Sequence, residues 1–79
     1  MREVIVYSRR GCHLCEQLID EIEPLLRGRA KLLVRNVDTE PSWAEAYGWD
    51  IPVVVFAGTE VCRHKLDRAA LQAALSSDM

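Results

Sequence analysis

Two cysteines separated by two residues, Cys12-His13-Leu14-Cys15, carry the clearest chemistry in the sequence. They fall where a short β-branched and aromatic run, Val4-Ile5-Val6-Tyr7, gives way through Ser8-Arg9-Arg10-Gly11 to a segment with helical spacing. Residues three apart share one face of a helix, so Cys12 at the helix start can reach Cys15 one turn on and a disulfide can form. The first turn of a helix leaves backbone N–H groups unpaired and carries the positive end of the helix dipole. Both stabilise a thiolate at Cys12. Arg9 and Arg10 add positive charge, and His13 adds more when protonated. The expectation is a Cys12 thiol pKa below the unperturbed value of about 8.5. A thiolate is the attacking species in thiol–disulfide exchange, so Cys12 reads as the nucleophile. Cys15, deeper in the helix, reads as the resolving thiol. Gly11 has no side chain, so a substrate can approach the Cys12 sulfur closely.

Other readings of the pair stay open at this point. Two cysteines at this spacing can be plain core residues, or half of a zinc site, which wants four ligands. Cys62 and His64 complete such a set only if their strand stays regular, because residues two apart then share a face. Cys62 otherwise reads as a buried strand cysteine, and His64 as a solvated residue. A second pattern is Ile51-Pro52, at the head of the apolar run Val53-Val54-Val55-Phe56. Proline cannot donate a ladder hydrogen bond, and X-Pro bonds are where cis peptides occur. Trp43 and Trp49 flank a short predicted helix and read as packing or surface cover, with Trp49 near the Ile51-Pro52 edge and in reach of a substrate. Asp20, Glu21 and Glu23 read as a solvated helix face.

The elements that must position these residues follow from periodicity. Val4 to Tyr7 is apolar on both faces, as in an interior strand. Cys12, Cys15, Leu18, Ile19, Ile22, Leu25 and Leu26 recur in steps of three and four and predict one helix over residues 12–26. Pro24 suggests a kink or early stop, and Gly28 a terminator. Leu32, Leu33, Val34 and Val37 predict a second strand ending at Asn36-Val37-Asp38. A short helix is expected over residues 42–47, ended by Gly48. Ile51 to Phe56 predicts a third strand, Ala57-Gly58 a hairpin turn, and Thr59 to Arg63 a fourth strand. Asp67 is a good N-cap for a last helix over residues 68–75, and residues 76–79 are expected to fray. The β-α-β unit implies a parallel pair and the hairpin an antiparallel one. The expectation is an α/β sandwich with a four-stranded mixed sheet and three helices, in the order β-α-β-α-β-β-α.

Length and charge bound the function. The 79 residues suit one small domain with one core. Hydrophobic residues at 49% and charged residues at 28% are ordinary for a folded globular chain. A net charge of −2 argues against non-specific nucleic-acid binding. No apolar run approaches the ~20 residues of a membrane span. No charged-then-apolar leader opens the chain, so a reducing cytoplasm is the expected compartment. Three cysteines are too few for a disulfide-stapled mini-domain.

Taken together, the chain resembles a thioredoxin-fold protein, and more closely a small glutaredoxin, over nearly its whole length. Tyr7-Ser8-Arg9-Arg10-Gly11-Cys12-His13-Leu14-Cys15 resembles the glutaredoxin segment with an aromatic strand end, a basic residue three before the first cysteine, and C-P-Y-C. Asn36-Val37-Asp38 resembles the end of that family's second strand. Asp50-Ile51-Pro52 stands at its T-V-P, whose proline is cis, and Leu66-Asp67 at its acidic helix cap. The resemblance implies a thioredoxin-like three-layer sandwich in a single domain over residues 1–79. It implies a dithiol oxidoreductase with Cys12 as nucleophile and Cys15 as resolving cysteine. Arg9 would face the glutathione carboxylate and the thiolate. Ile51 would offer its backbone to an extended substrate, cis Pro52 would pack beside the Cys12 sulfur, and Asp67 would face the γ-glutamyl end.

The implied partners are glutathione or a disulfide-containing protein, with glutathione or a thioredoxin-reductase-type donor restoring the dithiol. Glutathione would be a co-substrate, with no bound cofactor and no metal, and the chain would act as a monomer. The alternative is a metal or iron–sulfur cluster module built on Cys12 with Cys15 or glutathione. A redox-inert interaction domain finds no support, because both cysteines of the pair are present. The departures from the family pattern are specific. His13-Leu14 replaces Pro-Tyr, Asp50 replaces threonine, Arg63 and His64 stand where the family has Gly-Gly, and no tryptophan precedes Cys12.

Overall fold

A computed structural model describes residues 2–77. In chain order it contains β1 (Glu3–Ser8), α1 (His13–Leu26), β2 (Lys31–Asn36), a 3-10 turn (Val37–Thr39), α2 (Pro41–Tyr47), β3 (Val53–Phe56), β4 (Thr59–Arg63) and α3 (Arg68–Ser77). The strands form one sheet in the order β2-β1-β3-β4. β1 pairs parallel with β2, from Glu3 opposite Lys31 to Ser8 opposite Asn36. It pairs antiparallel with β3, from Val4 opposite Phe56 to Tyr7 opposite Val53. β3 and β4 form an antiparallel hairpin with a bulge at Val54/Val55. β1 is therefore an inner strand, as its two apolar faces predict. This is the thioredoxin-like mixed sheet with three helices.

The period-2 alternation of the inner strands explains the layering. Val4, Val6, Val54 and Phe56 face one side, where they pack with Leu18, Ile22 and Leu26 of α1 and Leu71 and Leu75 of α3. Tyr7, Val53 and Val55 face the other side with Val37, under Trp43 and Tyr47 of α2. That smaller side is organised by aromatic geometry. Tyr7 stacks on Tyr47 with centroids 4.1 Å apart and meets Trp43 edge-on at 5.8 Å. The Arg35 guanidinium lies 5.0 Å from the Trp43 ring centroid and donates to the Tyr7 hydroxyl at 3.2 Å.

Several local expectations are corrected. α1 begins at His13 with Cys12 as its N-cap, and it continues through Pro24 to Leu26. Proline near a helix end removes a single backbone hydrogen bond, and burial of Ile22 and Leu26 holds the last turn in place. Val37 leaves β2 for the 3-10 turn, because the Asn36 side chain accepts the Asp38 N–H at 2.9 Å and curls the chain. β3 begins at Val53, so Ile51 and Pro52 precede the strand. Trp43 lies inside α2, which starts at Pro41. Cys62 is half-buried, not fully covered. Ser76 and Ser77 continue α3, while Asp78 and Met79 lie outside the described residues. The hairpin turn has positive φ at both Ala57 and Gly58, the backbone form that suits strand twist.

Leu71 is fully buried against both α1 and the sheet. Truncating it in Leu71→Ala is expected to cost about 2–5 kcal/mol, a large share of the ~5–15 kcal/mol typical of a domain. Urea unfolding of the two proteins measures the difference; a loss below about 1 kcal/mol contradicts this account of the core.

Candidate functional site

The carboxyl end of β1 and the amino end of β3 lie side by side, since Tyr7 is opposite Val53. That pairing brings the segment from Ser8 to Cys12 and the segment from Trp49 to Pro52 to one end of the sheet. Gly11 adopts φ +81°, with nothing within 4 Å of where a Cβ would stand. Its role is thus conformational. A left-handed residue lets the chain turn sharply between β1 and α1.

Cys12 caps α1 with extended backbone at φ −90° and ψ 107°. Its sulfur accepts the Cys15 N–H at 3.2 Å, and its carbonyl accepts the Glu16 N–H at 3.0 Å. Cap side chains are ordinarily oxygen acceptors such as Ser or Asp. Here a sulfur does that work, and an N–H donor together with the helix dipole favours its anionic form. Cys15, with a Cα 5.2 Å from that of Cys12, is at disulfide distance from it. Cys15 is buried, whereas Cys12 is partly exposed, so an outside reagent meets Cys12 first.

The flanking charges are mostly paired. Arg9 forms a two-pronged bond with Asp38, Nε–Oδ2 at 2.9 Å and Nη2–Oδ1 at 3.0 Å. Arg63 bridges Asp50 at 2.9 Å and Glu60 through Nε at 2.7 Å. The Arg63 hydrogen bond holds the Glu60 carboxyl below its usual range. His64 adopts φ +69°, the left-handed backbone of a position that favours glycine, and its Nε2 lies 3.8 Å from Asp50. Its N–H donates to the Pro52 carbonyl at 2.8 Å. The Ile51–Pro52 bond is cis. Ile51 makes no hydrogen bond among the described residues, so its N–H and C=O are open. Asp67 caps α3, accepting the Ala70 N–H at 2.9 Å. A groove of about 340 Å³ runs between α1 and the β4–α3 loop, lined by Leu14, Gln17, Glu21, His64, Lys65 and Leu66.

The residues singled out from sequence are therefore distributed unevenly. Cys12 and Cys15 come together, and Ile51 and Pro52 share their end of the sheet. Arg9 is turned to Asp38, and the Asp67 carboxylate to its own helix. Cys62 and His64 do not join the cysteine pair; no three His, Cys, Asp or Glu side chains are grouped to hold a metal ion among the described residues. The partners Asp38, Glu60 and Asp50 were not foreseen. The Asn36-Val37-Asp38 turn hinted at the first, since asparagine two residues before an aspartate favours a tight turn. Glu60 lies three residues before Arg63 on the same strand, whereas Asp50 reaches Arg63 only through the fold and had no local signal.

Burial pushes the Cys62 thiol up. In reduced protein at neutral pH, iodoacetamide is expected to label Cys12 well before Cys62, with Cys62 labelling rising as the pH is raised. Peptide mapping by mass spectrometry measures both rates. Cys62 labelling as fast as Cys12 at pH 7 contradicts the assignment.

The comparisons with known proteins agree with this geometry. The family model for the Glutaredoxin-like domain (DUF836) matches residues 3–76. The solution structure of protein Ne2328 from Nitrosomonas europaea is 32% identical, with a TM-score of 0.80, over 91% of this chain and 88% of that one. The X-ray structure of protein XcR50 from X. campestris is 25% identical, with a TM-score of 0.72, over 94% and 96% of the two chains. Thioredoxin 1 from Thermosipho africanus, at 14% identity and a TM-score of 0.65 over 96% and 97%, shares the fold. No curated protein sequence matches. Because that family model spans residues 3–76, almost the whole chain, the chain belongs to the glutaredoxin-like domain family, on a thioredoxin fold.

Proposed function

We propose that this protein is a dithiol thiol–disulfide oxidoreductase. The observation that carries the reading is the Cys12 sulfur at the α1 N-cap, accepting the Cys15 N–H at 3.2 Å with the Cys15 sulfur at disulfide distance. In the reduced protein the Cys12 thiolate attacks one sulfur of a substrate disulfide. A Cys12–substrate disulfide forms, and the other substrate sulfur leaves as a thiolate that takes a proton from solvent. Cys15 then loses its proton and attacks the Cys12 sulfur. The Cys12–Cys15 disulfide forms, and the second substrate thiolate departs. The substrate gains two electrons and the protein loses two.

The surrounding residues take supporting roles in this proposal. The open N–H and C=O of Ile51 pair with an extended substrate as an added strand would. Pro52 holds that backbone beside Cys12. Arg9, steadied by Asp38, supplies positive charge near the thiolate. Asp67 and the start of α3 face the amino end of a glutathionyl group. The substrates are mixed disulfides with glutathione or disulfides in proteins. Glutathione or a thioredoxin-reductase-type donor returns the pair to the dithiol. The protein works as a monomer in a reducing cytoplasm; no described helix is long and apolar enough to cross a membrane.

Cys12→Ser is expected to abolish disulfide reduction, falling at least about a thousandfold, as when an attacking group is lost. Cys15→Ser is expected to stop after the first step and to accumulate a Cys12–substrate adduct, seen by intact mass. Full activity in Cys12→Ser, or an adduct on Cys62 in place of Cys12, overturns the proposal.

A further inference from the structure

Trp49 stands 95% exposed one residue before Asp50 and two before Ile51. Among the described residues its ring makes no aromatic or cation contact, whereas Trp43 is edge-on to Tyr7. The backbone that presents Trp49 is nevertheless tied down on both sides. The Gly48 N–H donates to the Ala44 carbonyl at 2.9 Å, and the Asp50 N–H to the Tyr47 carbonyl at 2.8 Å. The Asp50 carboxylate is held by Arg63 at 2.9 Å. An indole held in water on a fixed loop, at the sheet end that carries the reactive cysteines, is a preorganised contact. Leu14, between the two cysteines, is 50% exposed and adds a second apolar surface.

The charges at this end point the same way. Glutathione has two carboxylates and an ammonium, and tight recognition of it needs fixed counter-charges. The two guanidinium forks near the site are already occupied, Arg9 by Asp38 and Arg63 by Asp50 and Glu60. The Asp67 Oδ1 accepts the Ala70 N–H at 2.9 Å. Arg10 and Lys65 make no ion pair among the described residues; both are exposed cations. Among the described residues, main-chain hydrogen bonding at Ile51, the Trp49 ring, the Leu14 side chain and the Arg10 and Lys65 cations are left free. Main-chain pairing with flanking apolar contacts is how an extended polypeptide is recognised.

We infer that Trp49 is a specificity-determining residue that docks an apolar side chain of an extended polypeptide next to its disulfide. Polypeptide disulfides, ahead of glutathione disulfides, are then the substrate class of this site. The inference rests on the oxidoreductase reading above and adds no step to it.

The test is a single turnover of pre-reduced full-length protein, so no electron donor enters. Three mixed disulfides share thionitrobenzoate as leaving group: an extended peptide with an aromatic residue beside its cysteine, glutathione, and 2-mercaptoethanol. Cys12 attacks the non-aromatic sulfur in each, thionitrobenzoate leaves as the coloured thiolate, and Cys15 then displaces the remaining thiol. The peptide disulfide is expected to react about tenfold faster than the glutathione one. W49A is expected to lower the ratio of the peptide rate to the mercaptoethanol rate about tenfold, and W49F to restore most of it. Trp49 fills no part of the core, so neither change opens a cavity. A glutathione rate equal to or above the peptide rate overturns the inference, as does a ratio that W49A leaves unmoved. If wild type releases no more thionitrobenzoate than Cys12→Ser from any of the three, the oxidoreductase reading itself fails.

Discussion

The Cys15 N–H that reaches back to the Cys12 sulfur joins the chemistry of this protein to its fold. A helix must satisfy its first N–H groups with something, and here an ionisable sulfur does so. The same hydrogen bond that closes the first turn of α1 therefore stabilises a thiolate. It also fixes the distance to Cys15, because the two residues are held one turn apart with Cα atoms 5.2 Å from each other. Gly11 makes the arrangement possible, since its left-handed backbone turns the short connection from β1 toward α1. α1 in turn is anchored by Leu18, Ile22 and Leu26 against the sheet. A reactive group at the tip of a helix stays in place only because the far end of that helix is buried.

The sheet supplies the second half of the site. An antiparallel β1–β3 pair next to a parallel β1–β2 pair places the exit of β1 beside the entry of β3. Ile51 and Pro52 thus arrive at the cysteines from a segment about forty residues away in sequence. Pro52 lacks an N–H, and the residue before it lies outside the ladder with open hydrogen-bonding groups. The His64 N–H bound to the Pro52 carbonyl ties the β4–α3 loop to the same place. His64 holds a left-handed backbone to do this, a conformation that costs an ordinary side chain on the order of 1–3 kcal/mol.

Around this centre, opposite charges are neutralised locally. Arg9 with Asp38, and Arg63 with Asp50 and Glu60, are exposed pairs that contribute little to stability. Their consequence is local neutralisation: each of these two guanidinium groups already faces a carboxylate of its own chain. Three of the departures from the glutaredoxin pattern fall into this network, because Asp50 meets both Arg63 and His64.

The sequence alone determined the elements and the reactive pair. Apolar steps of three and four marked α1, β-branched runs marked β1 and β3, and Ala57-Gly58 marked the hairpin, because backbone periodicity and turn chemistry are local properties. The Cys12–Cys15 spacing allowed a one-turn disulfide for the same reason. Element ends were less legible. Val37 looked like strand until the Asn36 side chain curled the chain, and Ile51 and Pro52 looked like strand until the ladder began at Val53. Only tertiary structure decided that Arg9 is spent on Asp38, that Asp50 bridges to Arg63 and His64, and that Trp49 rather than Trp43 faces solvent. Ion pairing and exposure depend on which distant segments the sheet register brings within a few ångströms, and no window along the chain contains that information.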